Sequence, residues 1–178
     1  MVRSAAKKSS TKRPIGMCKI RLPMAHRREP ANKANHCHDP AQSSEKKTNH
    51  QFDGSSFSTG GSLSTGRELT SNNIGVQTAA LAAGGYKRSP DVYPTQSEQY
   101  NGTAWTGGGA VNTPRYSSAG AGTETAAVIS GGIEPGQLSA TEEYNGSSWT
   151  TVNARPYSAG NAGTSGTQTD SLVYGGNP

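Results

Sequence analysis

Cys18, His26, His36, Cys37 and His38 carry the sulfur and nitrogen donors that bind transition metals. Their spacing fits no known finger: there is no C-x2-C pair, and in His36-Cys37-His38 the two histidines are one residue apart. Cys18 and Cys37 would close a disulfide only in an oxidising compartment. Glu98, Glu142 and Glu143 are the carboxylates that glycoside cleavage would need, two of them facing one sugar. Glu98 and Glu142 sit at equivalent points of a repeat, however, which predicts a repeated, solvated row on a strand face. There is no Ser-His-Asp set, no glycine loop followed by lysine and no paired CxxC. The expectation is a protein with no catalytic residue, no metal and no cofactor.

The charge is unevenly distributed. Of 17 Lys and Arg, 12 lie at or before Lys47, against only Glu29, Asp39 and Glu45, so residues 1–49 carry +9 and residues 50–178 carry −4. The dibasic pairs Lys7-Lys8, Lys12-Arg13, Arg27-Arg28 and Lys46-Lys47 suit contact with a polyanion. No aromatic residue interleaves them, so base stacking is not offered. No apolar run follows the basic start, so no secretory signal is seen. The expected organisation is a basic, low-order arm over 1–49 and a folded unit over 50–178.

Composition narrows what that unit can be. Leu, Ile, Val and Phe number 20 of 178 residues, while glycine numbers 23. A helical bundle could not tolerate so much glycine, threonine and serine with so little leucine. No run of about 20 apolar residues could span a membrane as a helix. A thin-cored β protein or a disordered chain remains.

The elements of that protein come from an internal repeat. Tyr100-Asn101-Gly102-Thr103-Ala104-Trp105 matches Tyr144-Asn145-Gly146-Ser147-Ser148-Trp149, and Phe52-Asp53-Gly54-Ser55-Ser56-Phe57 is a degenerate copy. Asn-Gly or Asp-Gly between aromatic strands predicts a hairpin with a type I′ turn, both central residues at positive φ. A second block alternates with the first: short apolar runs end in Gly84-Gly85, Gly131-Gly132 and Gly175-Gly176. Each of these predicts two further strands, the second one central and buried. The hairpins fall at 50–59, 72–85, 95–107, 117–132, 139–152 and 160–176. Asn101-Gly102-Thr103 and Asn145-Gly146-Ser147 also read as glycosylation sequons, but their turn role accounts for them.

Four short strands per period of about 44 residues suit a β-propeller blade. The Gly-Gly pair, the aromatic that follows it and the tryptophan five residues later make residues 50–176 resemble kelch repeats. They are most similar to kelch-like arrays of bacterial and bacteriophage surface proteins. The resemblance implies an all-β fold of about three kelch-like blades per chain. Gly84, Gly85, Gly131, Gly132, Gly175 and Gly176 would end second strands, and Tyr100, Trp105, Tyr144 and Trp149 would pack between blades. Galactose oxidase, an enzyme on this fold, uses copper held by Tyr and His with a Cys-modified Tyr. Here no Cys follows position 37 and no His follows position 50, so that site is excluded from the repeats. Gly146-Ser147-Ser148-Trp149 resembles part of a sialidase Asp box but has Tyr144 where the aspartate belongs.

Three blades are fewer than the four of a common ring, so the ring is expected to be incomplete or completed by another chain; two chains would give six blades. The resemblance implies a non-enzymatic attachment module, at a virion (such as a phage tail) or a cell surface, that binds glycan or protein. The alternatives are an intracellular interaction adaptor and a fragment of a larger propeller enzyme. Binding is expected on the long connections over 86–94 and 107–116, through Tyr86, Lys87, Arg88, Tyr93 and Arg115. A chain lacking residues 1–48 is expected to keep its β circular-dichroism signal and lose salt-sensitive binding to heparin or DNA, as titrations across salt concentrations would reveal.

Overall fold

A computed structural model describes residues 47–69 and 74–178. The chain divides between Gln42 and Ser43 into two units, and the second contains every described residue. Residues 1–46 of the arm, with the candidate metal ligands Cys18, His26, His36, Cys37 and His38, lie outside the described residues.

All described regular structure is β. The first hairpin pairs β1 (Thr48–Phe52) with β2 (Phe57–Ser62). β1 thus opens at Thr48, inside the segment assigned above to the arm, and Lys47 accepts the Leu63 N–H. A truncation that spares the hairpin therefore ends before Lys47.

Next come β3 (Gly75–Val76), β4 (Ala79–Ala83), β5 (Lys87–Arg88), β6 (Asp91–Val92), β7 (Ser97–Tyr100) and β8 (Trp105–Gly107). Sheet I is antiparallel in the order β3-β4-β7-β8, with β5 and β6 forming a small hairpin between its second and third strands. The pattern repeats with β9 (Ala119–Gly122), β10 (Ala127–Ser130), β11 (Ile133–Glu134), β12 (Gly136–Gln137), β13 (Thr141–Tyr144) and β14 (Trp149–Val152). Sheet II has the order β9-β10-β13-β14, and β11–β12 is its small hairpin. The chain ends in the hairpin of β15 (Gly163–Gly166) and β16 (Ser171–Tyr174). Among the described residues no ring closes: β1–β2 and β15–β16 remain two-stranded.

The core is thin and built from small side chains. Leu81, Ala83, Ala127, Ile129, Tyr144 and Trp149 cluster with Ile74 and Val111. The central strand β10 is buried along its whole length, as an Ala-Val-Ile-Ser run between two partners should be. Tyr144 lies directly across from Trp149, with ring centroids 4.9 Å apart, and Tyr100 pairs with Trp105 at the same distance. Trp149 Nε1 donates to the Gly109 carbonyl (3.1 Å), so the ring bridges sheet II to the segment leaving sheet I. That approach needs glycine: a Cβ at Gly109 would lie 3.0 Å from the Ser148 Cα.

The turns differ from the type I′ expectation. Gly54, Gly102 and Gly146 have φ of 99°, 91° and 92°, but Asp53, Asn101 and Asn145 are not at positive φ. The polar residue acts through its side chain instead. Asn145 Oδ1 accepts the N–H groups of Ser147 (3.0 Å) and Ser148 (2.9 Å), and Asn101 does the same for Thr103 and Ala104. Asp53 Oδ1 accepts from Ser55 and Ser56 at 2.8 Å each. The Ser56 and Ser55 N–H groups, followed by the serine hydroxyls, hold the Asp53 carboxyl well below the usual carboxylate range. A four-residue connection closed by an Asx-type acceptor needs positive φ only at the glycine.

Asn145→Asp should therefore be tolerated. Asn145→Val should lose about 0.5–1.5 kcal/mol by removing the acceptor, and Gly146→Val about 1–3 kcal/mol by forcing a β-branched residue to positive φ. Urea unfolding of the three variants checks the order.

Candidate binding site

The short hairpin β5–β6 leaves sheet I between its second and third strands and carries Tyr86, Lys87, Arg88 and, just beyond it, Tyr93. Gly84 and Gly85, at φ of 63° and 127°, turn the chain out of β4 into this hairpin. Tyr86 forms an isolated bridge with Glu68, each N–H donating to the other's carbonyl (2.8 and 3.0 Å). The Gly85 N–H donates to the carbonyl of Arg115 (2.8 Å), which draws in the segment entering sheet II. The next residue of that segment is Tyr116.

Three half-buried tyrosines meet there. Ring centroids are 5.4 Å apart for Tyr86–Tyr93, 5.3 Å for Tyr86–Tyr116 and 5.7 Å for Tyr93–Tyr116, with planes inclined by 34–37°. These distances suit favourable aromatic contact. The cluster spans both sheets, since Tyr86 and Tyr93 come from the connection of sheet I and Tyr116 from the approach to sheet II. Acidic groups border it. A hydrogen bond to Asp91, then burial, raises the Tyr86 phenol above its ordinary value. Burial first, then the charges of Asp91, Tyr116 and Glu134, raises Tyr93. Both phenols therefore remain protonated donors near neutral pH. Arg88 Nε lies 2.5 Å from Glu68 Oε1 in a largely exposed ion pair.

Of the five residues expected to make contact, the structure gathers Tyr86, Lys87, Arg88 and Tyr93 on one connection and removes Arg115. Arg115 has no solvent exposure. Its guanidinium meets Glu142 (Nη2–Oε1 2.5 Å) and donates to the carbonyls of Gly131 (2.9 Å) and Ala140 (2.7 Å). Burial lowers its pKa, while the Glu142 charge and hydrogen bond raise it. Tyr116, which the sequence reading did not single out, stands in the surface position instead.

Glu98 and Glu142 also differ from expectation. They do not form a solvated row; both are buried, each against an arginine from the segment entering its own sheet. Arg67 Nη1 meets Glu98 Oε1 at 2.5 Å, as Arg115 meets Glu142. Backbone N–H groups complete the carboxylates: Ser64 donates to Glu98 (2.7 Å), and Asn112 and Thr113 to Glu142 (2.7 and 2.9 Å). Burial pushes the Glu98 carboxyl up, but the Ser64 N–H and Arg67 together outweigh it and hold it below its ordinary value. These carboxylates are committed to the scaffold, each to the arginine and backbone of its own entering segment. Among the described residues no group of three or more His, Cys, Asp or Glu could hold a metal ion, and no helix is long and apolar enough to cross a membrane.

No family model matches the chain, and no curated protein matches it.

Arg115→Met should cost about 3–5 kcal/mol, because it leaves Glu142 buried without its counter-charge. Arg115→Met with Glu142→Gln should recover part of that loss in urea unfolding. Because the Glu98 pKa is lower folded than unfolded, its contribution is fully present above the ordinary carboxylate value of about 4.3. It is lost as pH falls through the folded value. Glu98→Gln should thus flatten the acid limb of stability against pH.

Proposed function

We propose that this chain is a non-enzymatic binding module whose sheets are kelch-like propeller blades and whose ligand surface is the tyrosine cluster of Tyr86, Tyr93 and Tyr116. The observation that carries this reading is the meeting of three half-buried tyrosines on connections rather than on strands. Rings held against one another lose little freedom on binding and offer apolar faces beside phenol donors. Nothing in the repeat requires them there. Sheet II carries Ile133 at the place of Tyr86, bridged to Tyr116 as Tyr86 is bridged to Glu68. An aromatic surface at the junction of sheets I and II, not copied at the next junction, is what a ligand would select.

The bordering carboxylates Asp91 and Glu134 accept hydrogen bonds, which favours a hydroxyl-rich glycan lying across the rings. The exposed Arg88 favours a protein epitope as the second reading, since tyrosine and arginine are the residue types that dominate protein hot spots. Either ligand fits an attachment role at a virion or cell surface, which the kelch-like resemblance supports, and the dibasic pairs of the arm suit contact with a polyanion.

A glycan array and a host-cell surface binding assay test this. Tyr93→Ala and Tyr116→Ala should each weaken binding at least about tenfold, the range of a hot-spot aromatic. Tyr157→Ala, an exposed tyrosine stacked near Arg155 and away from the cluster, should leave it unchanged. Equal losses in all three, or no binding by the parent chain, would overturn the reading.

A further inference from the structure

The two hairpins at either end of the described residues correspond to the two halves of one four-stranded sheet. β15 and β16 correspond to the first two strands of sheets I and II, and β1 and β2 to the last two. Among the described residues their outward edges are unpaired, and large apolar side chains beside them are exposed: Leu172 is 63% exposed, Tyr174 53%, Phe52 51% and Phe57 72%. The matching positions in sheet II are buried. Val128, Tyr144 and Trp149 stand where Leu172, Phe52 and Phe57 stand in the hairpins.

We propose that a second copy of this chain covers the β16 edge by pairing its own β1 there, so that two copies complete each other's terminal sheets. Exposed edges alone would accept many strands. The choice of β1 comes from charge. In each complete sheet a buried arginine of the entering segment meets a buried glutamate of the third strand: Arg67 with Glu98, and Arg115 with Glu142. In the terminal half-sheet the arginine position is Ala159, since the Ala159 carbonyl accepts the Gly132 N–H as the Arg115 carbonyl accepts that of Gly85. On β1 the glutamate position is His50, which pairs with Thr59 as Glu98 pairs with Gly107. Both charges are therefore missing, one from each hairpin.

That double absence matters only if the two hairpins meet. A glutamate at position 50 would cost nothing in water, but it would be an unpaired buried charge once β1 lay beside a segment with alanine at the arginine position. Arg155, the remaining arginine of that connection, is turned toward sheet II, with Nε and Nη1 buried and meeting no hydrogen-bond partner among the described residues. It donates to the carbonyls of Ala159 (2.6 Å) and Leu138 (3.4 Å), beside sheet II. Applying the β10–β13 register, in which Ile129 faces Glu142, places Val173 opposite His50 and Ser171 opposite Phe52. The pairing needs only these registers and does not depend on what the tyrosine cluster binds.

The experiment uses full-length chains carrying Cys18→Ser and Cys37→Ser. A His50→Cys chain mixed with a Val173→Cys chain should form a mixed disulfide under mild oxidation, because directly opposed residues have Cβ atoms about 4.5–5.5 Å apart. Gln51→Cys mixed with Val173→Cys places the thiols on opposite faces and should not crosslink. Native mass measurement of the unmodified chain should give a multiple of the monomer. His50→Glu should weaken self-association about a hundredfold or more, and adding Ala159→Arg to the same chain should restore it. A monomer at all accessible concentrations, or equal crosslinking from positions 50 and 51, would overturn the proposal. Glycan or cell binding that persists in a monomeric His50→Glu variant would leave the ligand reading standing, so the two can fail separately.

Discussion

Glu98 and Glu142 are sealed from water against Arg67 and Arg115, and the path of each connecting segment follows from that contact. The guanidinium arrives from the segment entering a sheet and the carboxylate from the third strand of the same sheet. Neither charge can be buried alone, so the segment must lie where its arginine reaches. Backbone N–H groups of Ser64, or of Asn112 and Thr113, add their own hydrogen bonds to the carboxylates and fix the three residues before each arginine. The Arg115 carbonyl then receives the Gly85 N–H, which ties sheet I to sheet II and sets Tyr116 beside Tyr86. A buried ion pair in the scaffold thus decides where the surface aromatics can be.

Such dependence on polar contacts suits the composition. With so few large apolar residues, burial of hydrophobic area cannot by itself select one arrangement of sheets. Glutamines supply part of the specificity. Gln51 Nε2 donates to the Tyr100 hydroxyl (2.6 Å) and to the Gly102 carbonyl (3.0 Å). Gln99 reaches the Glu124 carbonyl (3.1 Å), and Gln168 those of Ala127 (3.1 Å) and Tyr144 (2.9 Å). Alanine and glycine in the strands let the backbones come close enough for these side chains to span neighbouring elements.

The strands and aromatic pairs were legible because a repeat states the same constraint more than once. Tyr144 and Trp149 sit across from each other since an Asn-Gly turn between two strands leaves them no other register. The ion pairs were not legible for a physical reason. In Thr141-Glu142-Glu143-Tyr144 one glutamate must face inward and its neighbour outward, and either looks like a solvated strand residue until its partner is known. The partner is an arginine 27 residues earlier in a loop, where exposure is the ordinary expectation for a cation. Arg115 was misplaced and Tyr116 overlooked for this one reason: loop length suggests exposure, but hydrogen-bonding demand decided which of two adjacent residues went inside. The turns were located correctly and explained incorrectly, because asparagine serves them as an acceptor rather than as a residue tolerant of positive φ.

What the copies do not share carries information about role. A scaffold repeated for stability alone would keep equivalent residues on its connections, as it keeps the glycine pairs at the ends of β4, β10 and β16. Instead the connection of sheet I holds Tyr86 and Tyr93, while that of sheet II is shorter and presents Ile133 and Glu134 at the corresponding start. The two connections leave corresponding strands but meet different neighbours, Tyr86 resting on Tyr116 and Ile133 lying against Gly160. Tyr86 and Tyr93 are thus the part of the connection that the repeat does not copy, whereas the glycine pair before each connection recurs.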